Sequence, residues 1–359
     1  MYLAQNKDNT LLVDLAFIDY PGWFGGKARS VQLKELIEEK GYQFKKVELS
    51  KPNKWQVILY GIAFFLRFGY FKPFGYRSFV NSAYLYFGYT QLFKQYPGIQ
   101  IVIKEGTGYG DLVIVDIIKK IGRKIYLIPA DIESLCEYPN AWTHTLPKIK
   151  RFEVELKYYR KADAVFCISE EESWILRIFE ANAYFLPYYP SINKKDLIEK
   201  RRINRQPDKD FGILTFGRFD NTPQRRGLLN LLEDIKKKRI QLSYNLNIAG
   251  VGSEYFIDVV KGINNIKVLG ELSDNELEEC LYKCIAVLFY HKPTGGMITR
   301  VPDMLLSGIP IIGNEDALKS YIFSRGTSLL SDKIIIEEVD YETIEKKKSY
   351  FYSNFFKWI

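Results

Sequence analysis

The stretch Thr294–Asn314, TGGMITRVPDMLLSGIPIIGN, contains the pattern that decides how this chain folds. A helix-like apolar run, MLLSG, stops at Gly308, and a second apolar run begins at Ile309. Glycine and proline end helices and mark turns. Two glycines, an arginine and an aspartate precede the helix. A buried helix that leads into a buried strand, with bare backbone, a cation and a carboxylate ahead of it, is typical of an α/β protein that binds a phosphate and a diol.

Strand-like and helix-like runs alternate through the first half of the chain. LLVDLAFID (11–19) reads as a strand, and after a glycine-rich turn VQLKELIEEKGY reads as a helix that ends at Gly41. The alternation returns in IQIVIKE (99–105) and RKIYLIPAD (123–131). Strand–helix–strand crossovers build parallel sheets. We therefore predict that residues 1–191 form one doubly wound, Rossmann-like domain of the α/β class.

A second series of the same kind follows, with FGILTFGRF, YNLNIAGVG, IAVLFYH and IPIIGN as strands. It predicts a second Rossmann-like domain over residues 211–335, which faces the first across a central cleft where α/β proteins bind ligands. Residues 192–210 are polar and charged and are predicted to be a linker. Residues 336–359 are predicted to form an amphipathic helix that either packs back on the N-terminal domain or caps its own.

The chain is basic, with 51 Lys and Arg against 43 Asp and Glu and a formal net charge of +8. This charge predicts an anionic partner: a phosphorylated small molecule, an anionic membrane surface or nucleic acid. A generally basic, solvated surface would give the same charge. No nucleic-acid-binding motif is recognised in the sequence, so we do not expect nucleic acid as a partner.

The four cysteines have neither C-x-x-C nor Cys/His zinc spacing. Reduced thiols in a cytosolic protein are the simplest interpretation. The opening residues, MYLAQNKDNT, lack a basic region followed by an apolar core, so no signal peptide is predicted. We therefore expect a cytoplasmic protein.

One apolar segment raises the question of a membrane. Trp55–Phe71, WQVILYGIAFFLRFGYF, is apolar but contains Arg67 and is shorter than the roughly 20 residues of a membrane span. A buried helix is the ordinary interpretation of such a run. A helix that lies on an anionic membrane is the alternative, because Trp, Tyr and Phe beside Arg and Lys suit the headgroup region. That alternative places the protein at the inner face of the membrane.

The segment GRFDNTPQRRG (217–227) concentrates cations. Arg218 follows a strand directly, and Arg225 and Arg226 stand just before a predicted helix. Helix N-termini favour anions, and the guanidinium fork matches the geometry of a phosphate. We therefore predict that Gly217 and these three arginines bind a phosphate. Three arginines that simply face solvent would give the same sequence pattern.

The turn GGMITRVPD (295–303) repeats the arrangement. Its two glycines let the backbone approach a ligand closely, and the amides after them can donate to a phosphate. Asp303 opens the next helix, where it either caps the helix or accepts hydrogen bonds from a ribose diol. The predicted ligand-binding residues of this turn are Gly295, Gly296, Met297, Ile298, Thr299 and Asp303.

Taken in order, these motifs resemble the C-terminal domain of GT-B glycosyltransferases, in particular glycosyltransferase family four. In that family two cations hold the donor diphosphate, and Arg218 and Arg226 take their places here. The family's Glu-x7-Glu motif falls on Gly295 and Asp303, so the second acid is shortened and the first is absent. The resemblance implies the GT-B fold.

The first half resembles the acceptor domain of the same family more loosely. GGKARSVQLKELIEEKGY is similar to the family's first loop and helix, which implies that Gly25 and Gly26 lie against the donor phosphate. The family often carries a catalytic-site His after the strand that matches KIYLIPAD. Ala130 or Asp131 stands there, so Asp131 is our candidate to orient the acceptor or act as a base. A helix cap is the alternative role.

The resemblance implies a retaining glycosyltransferase that moves a hexose or related sugar from a nucleotide-diphosphate donor, UDP- or GDP-linked, to a glycan or lipid-linked acceptor. Polysaccharide or glycoconjugate biosynthesis is the implied setting. Arg218, Arg226 and backbone amides would stabilise the departing diphosphate in place of a metal ion, so we expect no metal or other cofactor. The catalytic candidates are Asp131, Arg218 and Arg226.

Other functions remain open. A non-catalytic GT-B-like protein that binds glycans or stabilises a partner is favoured by Gly295 and opposed by the arginines and Asp303. A dinucleotide oxidoreductase is disfavoured, since EGTGYGDL lacks the G-x-G-x-x-G spacing. His144 and His291, the only histidines, leave little for Ser–His–Asp or zinc chemistry.

Overall fold

The computed structural model describes residues 1–7, 9–20, 25–68, 75–106, 112–136, 148–292, 295–322, 324–330 and 336–359. The contacts between residues divide the chain into two units. Unit 1 comprises Met1–Pro187 together with Phe355–Ile359, and unit 2 comprises Tyr188–Asn354. His144 and the glycines at 108 and 110 lie outside the described residues.

Unit 1 is built on a sheet of seven described strands in the order β3-β1-β2-β4-β5-β6-β7. The strands are β1 (Tyr2–Gln5), β2 (Thr10–Asp14), β3 (Gln43–Lys46), β4 (Ile99–Glu105), β5 (Lys124–Ile128), β6 (Ala164–Cys167) and β7 (Ala183–Phe185). The helices are α1 (Gly25–Glu38), α2 (Lys54–Phe68), α3 (Gly75–Gln95), α4 (Ile114–Lys120), α5 (Lys148–Lys161) and α6 (Glu170–Ile178). Strands β2 and β4 to β7 run parallel, whereas β1 is antiparallel to both of its neighbours.

Unit 2 is built on a sheet of six described strands, all parallel, in the order β10-β9-β8-β11-β12-β13. The strands are β8 (Ile213–Phe216), β9 (Leu246–Ala249), β10 (Ile266–Gly270), β11 (Ala286–Phe289), β12 (Ile311–Gly313) and β13 (Thr327–Leu329). The helices are α7 (Lys195–Asn204), α8 (Thr222–Lys236), α9 (Ile257–Val260), α10 (Asp274–Lys283), α11 (Arg300–Leu306), α12 (Glu315–Leu318) and α13 (Tyr341–Phe356).

These two sheets confirm the predicted α/β class with two doubly wound, Rossmann-like units. The central strands are apolar along their length, and every residue of β6, β8, β9 and β11 is buried. Parallel strands covered by helices on both faces require such continuous burial. The same demand explains why these strands were recognisable in the sequence.

Part of the segment predicted to be a linker is helical. Residues 195–204 form helix α7, whose Ile198 and Arg201 are buried. Arg201 makes an ion pair with Glu278 of α10, with Nε 2.7 Å from Oε2. A partner 77 positions away along the chain is what makes this charged segment helical and packed, and local composition does not reveal it.

The start of helix α8 also differs from the prediction. The helix begins at Thr222, with Pro223 in its first turn, so Arg225 and Arg226 lie inside the helix rather than just before it. Proline is favoured in the first turn, because its fixed φ suits a helix and its missing N–H has no partner there. The side chains of these arginines therefore project from the first turns of α8.

Helix α2 is buried on one face only, which corrects the interpretation of Trp55–Phe71 as a buried helix. Gly61 and Phe64 are buried, and a Cβ added at Gly61 would lie 2.1 Å from the ring of Phe79 on α3. The opposite face, which carries Trp55 and Leu66, is exposed. No helix among the described residues is long and apolar enough to cross a bilayer.

The last residues of the chain pack in unit 1. Phe355 is buried with its ring centroid 4.9 Å from that of Phe166, and the ring of Trp358 lies 5.7 Å from that of Tyr126. The Tyr126 hydroxyl donates to the Trp358 carbonyl oxygen at 3.0 Å. These contacts tie the end of the chain to strands β5 and β6.

We predict that Phe355→Ala lowers the free energy of unfolding by about 3–5 kcal/mol, because removing a buried aromatic ring loses its transfer free energy and leaves a cavity. Urea unfolding of the full chain measures the change. Tyr350→Ala, on the exposed side of the same helix, serves as the control and should stay within about 0.5 kcal/mol of the native chain. Equal losses in both variants would contradict the packing described.

Candidate functional site

The candidate site of unit 2 lies at the carboxyl ends of β8 and β11. These adjacent parallel strands stand at the point where the strand order reverses, since β9 and β10 lie on one side and β12 and β13 on the other. Parallel α/β sheets bind ligands at this switch point. Gly217 follows β8 directly, and residues 295–299 precede α11.

Arg300 joins the two strand ends. Its Nη1 donates to the Phe216 carbonyl oxygen, and its Nη2 donates to Oε1 of Gln224 at 3.2 Å. The guanidinium carbon lies 5.2 Å and 5.0 Å from the ring centroids of Phe216 and Phe289. Desolvation lowers the pKa of Arg300 to about 10, against a raising effect of Asp303, so the side chain stays charged at neutral pH.

Gly217 leaves the space that this arrangement needs. A Cβ at this position would lie 2.3 Å from both Nη1 of Arg300 and Nε2 of Gln224. A Cβ on Gly250, at the end of β9, would lie 2.1 Å from the carbonyl oxygen of Gly217. Only glycine fits where strand ends and an arginine approach this closely. The predicted Gly217 therefore serves close packing within the protein.

His291 lies half-buried beside the same strand ends. Asn314 fixes its backbone, accepting from the His291 N–H at 3.1 Å and donating to its carbonyl oxygen at 2.7 Å. Desolvation, followed by the charges of Arg300 and Lys319, lowers the pKa of His291 to about 3, so its imidazole is neutral. Its Nε2 is buried and has no hydrogen-bond partner within the described parts of the chain.

Asp303 is buried one turn into α11 and is paired. Its Oδ2 accepts from the Lys194 Nζ at 2.8 Å, whereas its Oδ1 is buried with no partner in the described residues. Lys194 ends a short 3₁₀ turn just before α7, in the segment that was predicted to be a linker. Sequence analysis missed this lysine because nothing in the local pattern points to a carboxylate 109 positions away.

Arg218 is exposed and already engaged. It forms a two-point contact with Asp220, with Nε to Oδ1 at 3.3 Å and Nη2 to Oδ2 at 2.6 Å. The hydrogen bond from Arg218 lowers the pKa of the Asp220 carboxyl. An incoming phosphate would therefore compete with a neighbouring carboxylate for this guanidinium, which the sequence analysis did not weigh.

The other two predicted arginines lie on α8. Arg225 is half-buried, with its guanidinium carbon 5.3 Å from the ring centroid of the exposed Tyr255. Arg226 is exposed. Arg218, Arg225 and Arg226 thus belong to one strand–helix junction, where Arg218 contacts Asp220 and Arg225 lies against Tyr255.

The turn 295–299 lies between β11 and α11. Gly295 is half-buried, and the buried Gly296 has a φ of +67°, which glycine adopts without strain. Met297 and Ile298 pack against the core of unit 2, and the Thr299 side chain does not cap α11. The N–H groups of residues 297–299 donate to no other residue that the structure describes.

In unit 1, Gly25 and Gly26 are the first residues of α1. Arg29, in the next turn, is buried and donates to the carbonyl oxygens of Leu186 at 2.6 Å and Pro187 at 3.1 Å. This arginine, also missed in the sequence analysis, anchors the segment that follows β7. It is committed to the backbone and not to a ligand.

Glu105 ends β4 at the switch point of unit 1 and is buried. Its Oε2 accepts from the Ala16 N–H at 2.9 Å and from the Ser30 hydroxyl at 2.5 Å, whereas Oε1 has no partner in the described residues. Desolvation raises the pKa of Glu105 to about 7, against the lowering effects of Ser30 and Arg29. The proton-bearing form is thus accessible near neutral pH.

Asp131 stands near a second buried acid. It is half-buried between β5 and the short helix Glu133–Leu135, where Ser134 donates both its N–H, at 3.1 Å, and its hydroxyl to Glu155 of α5. Desolvation raises the pKa of Glu155 to about 7, and the charges of Glu133 and Asp131 add to the effect. Neither buried glutamate was a sequence candidate, because burial of a carboxyl leaves no local signature.

The residues that the structure describes contain no group of three or more His, Cys, Asp or Glu side chains placed to hold a metal ion. The four cysteines are free thiols.

No protein-family model matches the sequence. No curated protein matches it either. Solved structures resemble the fold: the crystal structure of TarM has a TM-score of 0.49 and 14% identity over 77% of this chain and 53% of TarM. This chain therefore spans about half the length of TarM.

Two further structures resemble it. Sucrose-phosphate synthase from Thermosynechococcus elongatus has a TM-score of 0.47 and 13% identity, over 74% of this chain and 68% of that one. HepE from Anabaena, in complex with UDP and glucose, has a TM-score of 0.43 and 14% identity, over 86% of this chain and 91% of HepE. At these identities the likeness concerns the fold.

We predict that the stability of the protein falls as pH rises from about 4.5 to about 7 because of Glu105 and Glu155. Their folded-state pKa values lie above the ordinary 4.5, so the folded protein keeps protons that the unfolded chain has released. The difference corresponds to at most about 3 kcal/mol for each carboxyl. Urea unfolding across this pH range should show the decline.

Glu105→Gln and Glu155→Gln should each flatten the pH profile of unfolding, because the amide does not titrate. The exposed Glu180 offers a control, and Glu180→Gln should keep the native profile. A native profile that rises over this pH range would show that the two carboxyls are ionised in the folded protein.

Proposed function

We propose that the protein is a glycosyltransferase that transfers a hexose or related sugar from a nucleotide-diphosphate donor, UDP- or GDP-linked, to a glycan or lipid-linked acceptor. The observation that carries the proposal is the switch point of unit 2. There a glycine-lined pair of strand ends lies beside Arg218, Arg225 and Arg226, with Asp303 on the next helix. A diphosphate needs cations and open amides, and a ribose needs an acceptor for its hydroxyls.

The cations and the amides have complementary roles. Arg218 and Arg226 are exposed, so both can turn toward a ligand without breaking the core. Arg300 is fixed by Phe216 and Gln224 and supplies positive charge behind them. The N–H groups of residues 297–299 complete the set of donors. Charge fixed in place before the reaction stabilises a developing anion without reorganisation.

The proposed reaction balances without a metal. A hydroxyl of the acceptor forms a bond to the anomeric carbon as the bond between that carbon and the diphosphate oxygen breaks. The acceptor proton passes to the departing phosphate on the same face, which retains the configuration. Negative charge grows on the diphosphate, where the arginines stabilise it. Asp131 is proposed to orient the acceptor or, as the alternative, to accept its proton in place of the departing phosphate.

Asp303 and Lys194 would bind the ribose of the donor. Lys194 holds Oδ2 of Asp303, which leaves Oδ1 to accept from a ribose hydroxyl. Because a buried carboxylate oxygen without a hydrogen-bond partner is costly, a ribose hydroxyl would satisfy the Oδ1 that has no partner among the described residues.

We place the reaction in the cytoplasm, in polysaccharide or glycoconjugate biosynthesis. Four free thiols support a reducing compartment. A lipid-linked acceptor would bring the protein to the inner face of a membrane.

A second function, non-catalytic binding of glycans or of a partner protein, is favoured by two observations. Gly295 stands where the resemblance places an acid, and Asp220 occupies Arg218. Turnover against a panel of nucleotide sugars separates the two functions. Release of free nucleoside diphosphate supports transfer, whereas binding-only is supported if no nucleotide sugar shifts the melting temperature or turns over.

We predict that Arg218→Ala and Arg226→Ala each abolish transfer and leave the fold intact. Loss of one contact to the departing charge costs about 2.7–4 kcal/mol of barrier, or roughly 10²–10³ in kcat. Steady-state kinetics measures the loss, and circular dichroism confirms the fold. Arg239→Ala is the matched control: Arg239 is 62% exposed and paired with Asp234 at 3.0 Å, and Arg218 is 65% exposed and paired with Asp220. Unchanged turnover in either test variant would contradict the donor assignment.

We also predict that Asp220→Asn strengthens nucleoside-diphosphate binding, because it removes the carboxylate that competes for Arg218. An exposed ion pair is worth about 0–1 kcal/mol, so the gain in affinity should be at most about fivefold. Calorimetric titration with UDP and with GDP measures it. Asp234→Asn, in the matched pair on α8, should leave the affinity unchanged. Weaker binding by the Asp220 variant would mean that the pair with Arg218 preorganises the site.

A further inference from the structure

Helix α2 presents a continuous apolar face to solvent. Five of its large apolar side chains are exposed: Trp55, Ile58, Leu59, Ile62 and Leu66. At about 100° per residue they fall within an arc of about 100° on one side of the helix. Trp55 and Leu66, at the two ends, are each 76% exposed. We refer to these five residues as the α2 stripe.

The opposite side of α2 holds the helix on unit 1. Phe64 is buried, and its ring centroid lies 4.7 Å from that of Phe68 and 6.1 Å from that of Tyr86 on α3. The Arg67 Nη1 donates to the Tyr86 hydroxyl at 2.6 Å. Helix α2 is therefore anchored to unit 1 through one face. The α2 stripe lies on the other face and contributes nothing to the hydrophobic core of unit 1.

The segment 49–104, which includes α2, carries charges of one sign. It contains seven Lys and Arg and no Asp or Glu, so the rest of the chain, with 44 basic and 43 acidic residues, is close to neutral. One of the seven, Lys104 at the end of β4, is buried and paired with Asp14 at 3.0 Å. Lys51 and Lys54 are exposed at the start of α2, and Arg67 is exposed near its end. On the helix, Lys54 and Arg67 flank the α2 stripe on opposite sides, by the same spacing of about 100° per residue.

We propose that the α2 stripe docks on an anionic lipid bilayer, with helix α2 lying in the headgroup region. An apolar face that carries Trp, Ile and Leu between basic residues buries its side chains at the acyl boundary while the cations meet lipid phosphates. Each Lys or Arg near an anionic surface strengthens binding by roughly fivefold. A protein partner or a second copy would need acidic residues facing α2, whereas the charged residues of α2 itself, Lys54 and Arg67, are both cations.

The proposal does not depend on the donor site, so its test needs no nucleotide or acceptor. The full chain is floated with vesicles of phosphatidylcholine and phosphatidylglycerol, and separately with phosphatidylcholine alone. We expect binding to the anionic vesicles, weaker binding to the neutral ones, and loss of binding as salt rises, because salt screens the lysines and arginine. Arg218→Ala should float like the native chain.

Leu59→Ser together with Leu66→Ser should reduce binding to the anionic vesicles by at least about tenfold, because two apolar side chains no longer leave water. Since both leucines are exposed, the fold should be unaffected. Ile149→Ser together with Ile203→Ser is the matched control: these isoleucines are 73% and 72% exposed and lie outside α2, so the control should bind like the native chain.

Tryptophan fluorescence tests the orientation of the helix. Anionic vesicles should shift the emission of the native chain to the blue as Trp55 enters the bilayer. Trp55→Phe should lose the shift, whereas Trp174→Phe, which changes another exposed tryptophan, should keep it. A shift that survives in Trp55→Phe would overturn the proposed orientation.

Any of three results would overturn the proposal as a whole. The first is that the native chain fails to float with either kind of vesicle. The second is that the leucine variant floats as well as the native chain. The third is a dimer in sedimentation velocity that the leucine variant abolishes, which would assign the α2 stripe to a second copy.

Discussion

The guanidinium of Arg300 sets the geometry of unit 2 at its switch point. It donates to the last carbonyl of β8 and to Gln224 at the start of α8, and it lies among Phe216 and Phe289 from the two central strands. A hydrogen bond from a charged group contributes about 1.5–3 kcal/mol, and the same Phe216 carbonyl oxygen also accepts from Nε2 of Gln224 at 3.2 Å. Gly217 has to be glycine because the arginine occupies the space of a Cβ.

The fixed position of Arg300 determines the electrostatics of the candidate site. Arg300 is charged and fixed, and it helps to keep His291 neutral. Lys194 balances Asp303, so Arg300, Lys194 and Asp303 together carry one net positive charge, in addition to the exposed Arg218 and Arg226. A positive, preorganised interior with movable cations at the rim suits a ligand whose charge grows during a reaction. This is the physical case for a diphosphate leaving group.

The sequence predicted those elements whose signal is local. The strand at 99–105 was predicted with its observed bounds, because seven residues of mostly apolar character sit between turn residues. Helix α8 began earlier than predicted because Pro223 starts it. Helix α7 was missed because its burial depends on Glu278, and the site partners Lys194 and Arg300 were missed because each acts on residues more than 75 positions away. Pairs of charged residues that are far apart in the chain leave no periodic pattern from which the sequence could predict them.

The net charge of the chain does not show where its positive charges lie, and their distribution along the sequence does. A charge of +8 predicted an anionic partner, and a diphosphate was the natural candidate. Almost all of that excess, however, belongs to residues 49–104, whereas the arginines of unit 2 are balanced by acids such as Asp220. The proposed binding of a nucleotide would then depend on a few placed guanidinium groups rather than on a general positive field. The cations of the segment 49–104 instead suit the proposed contact of α2 with an extended anionic surface.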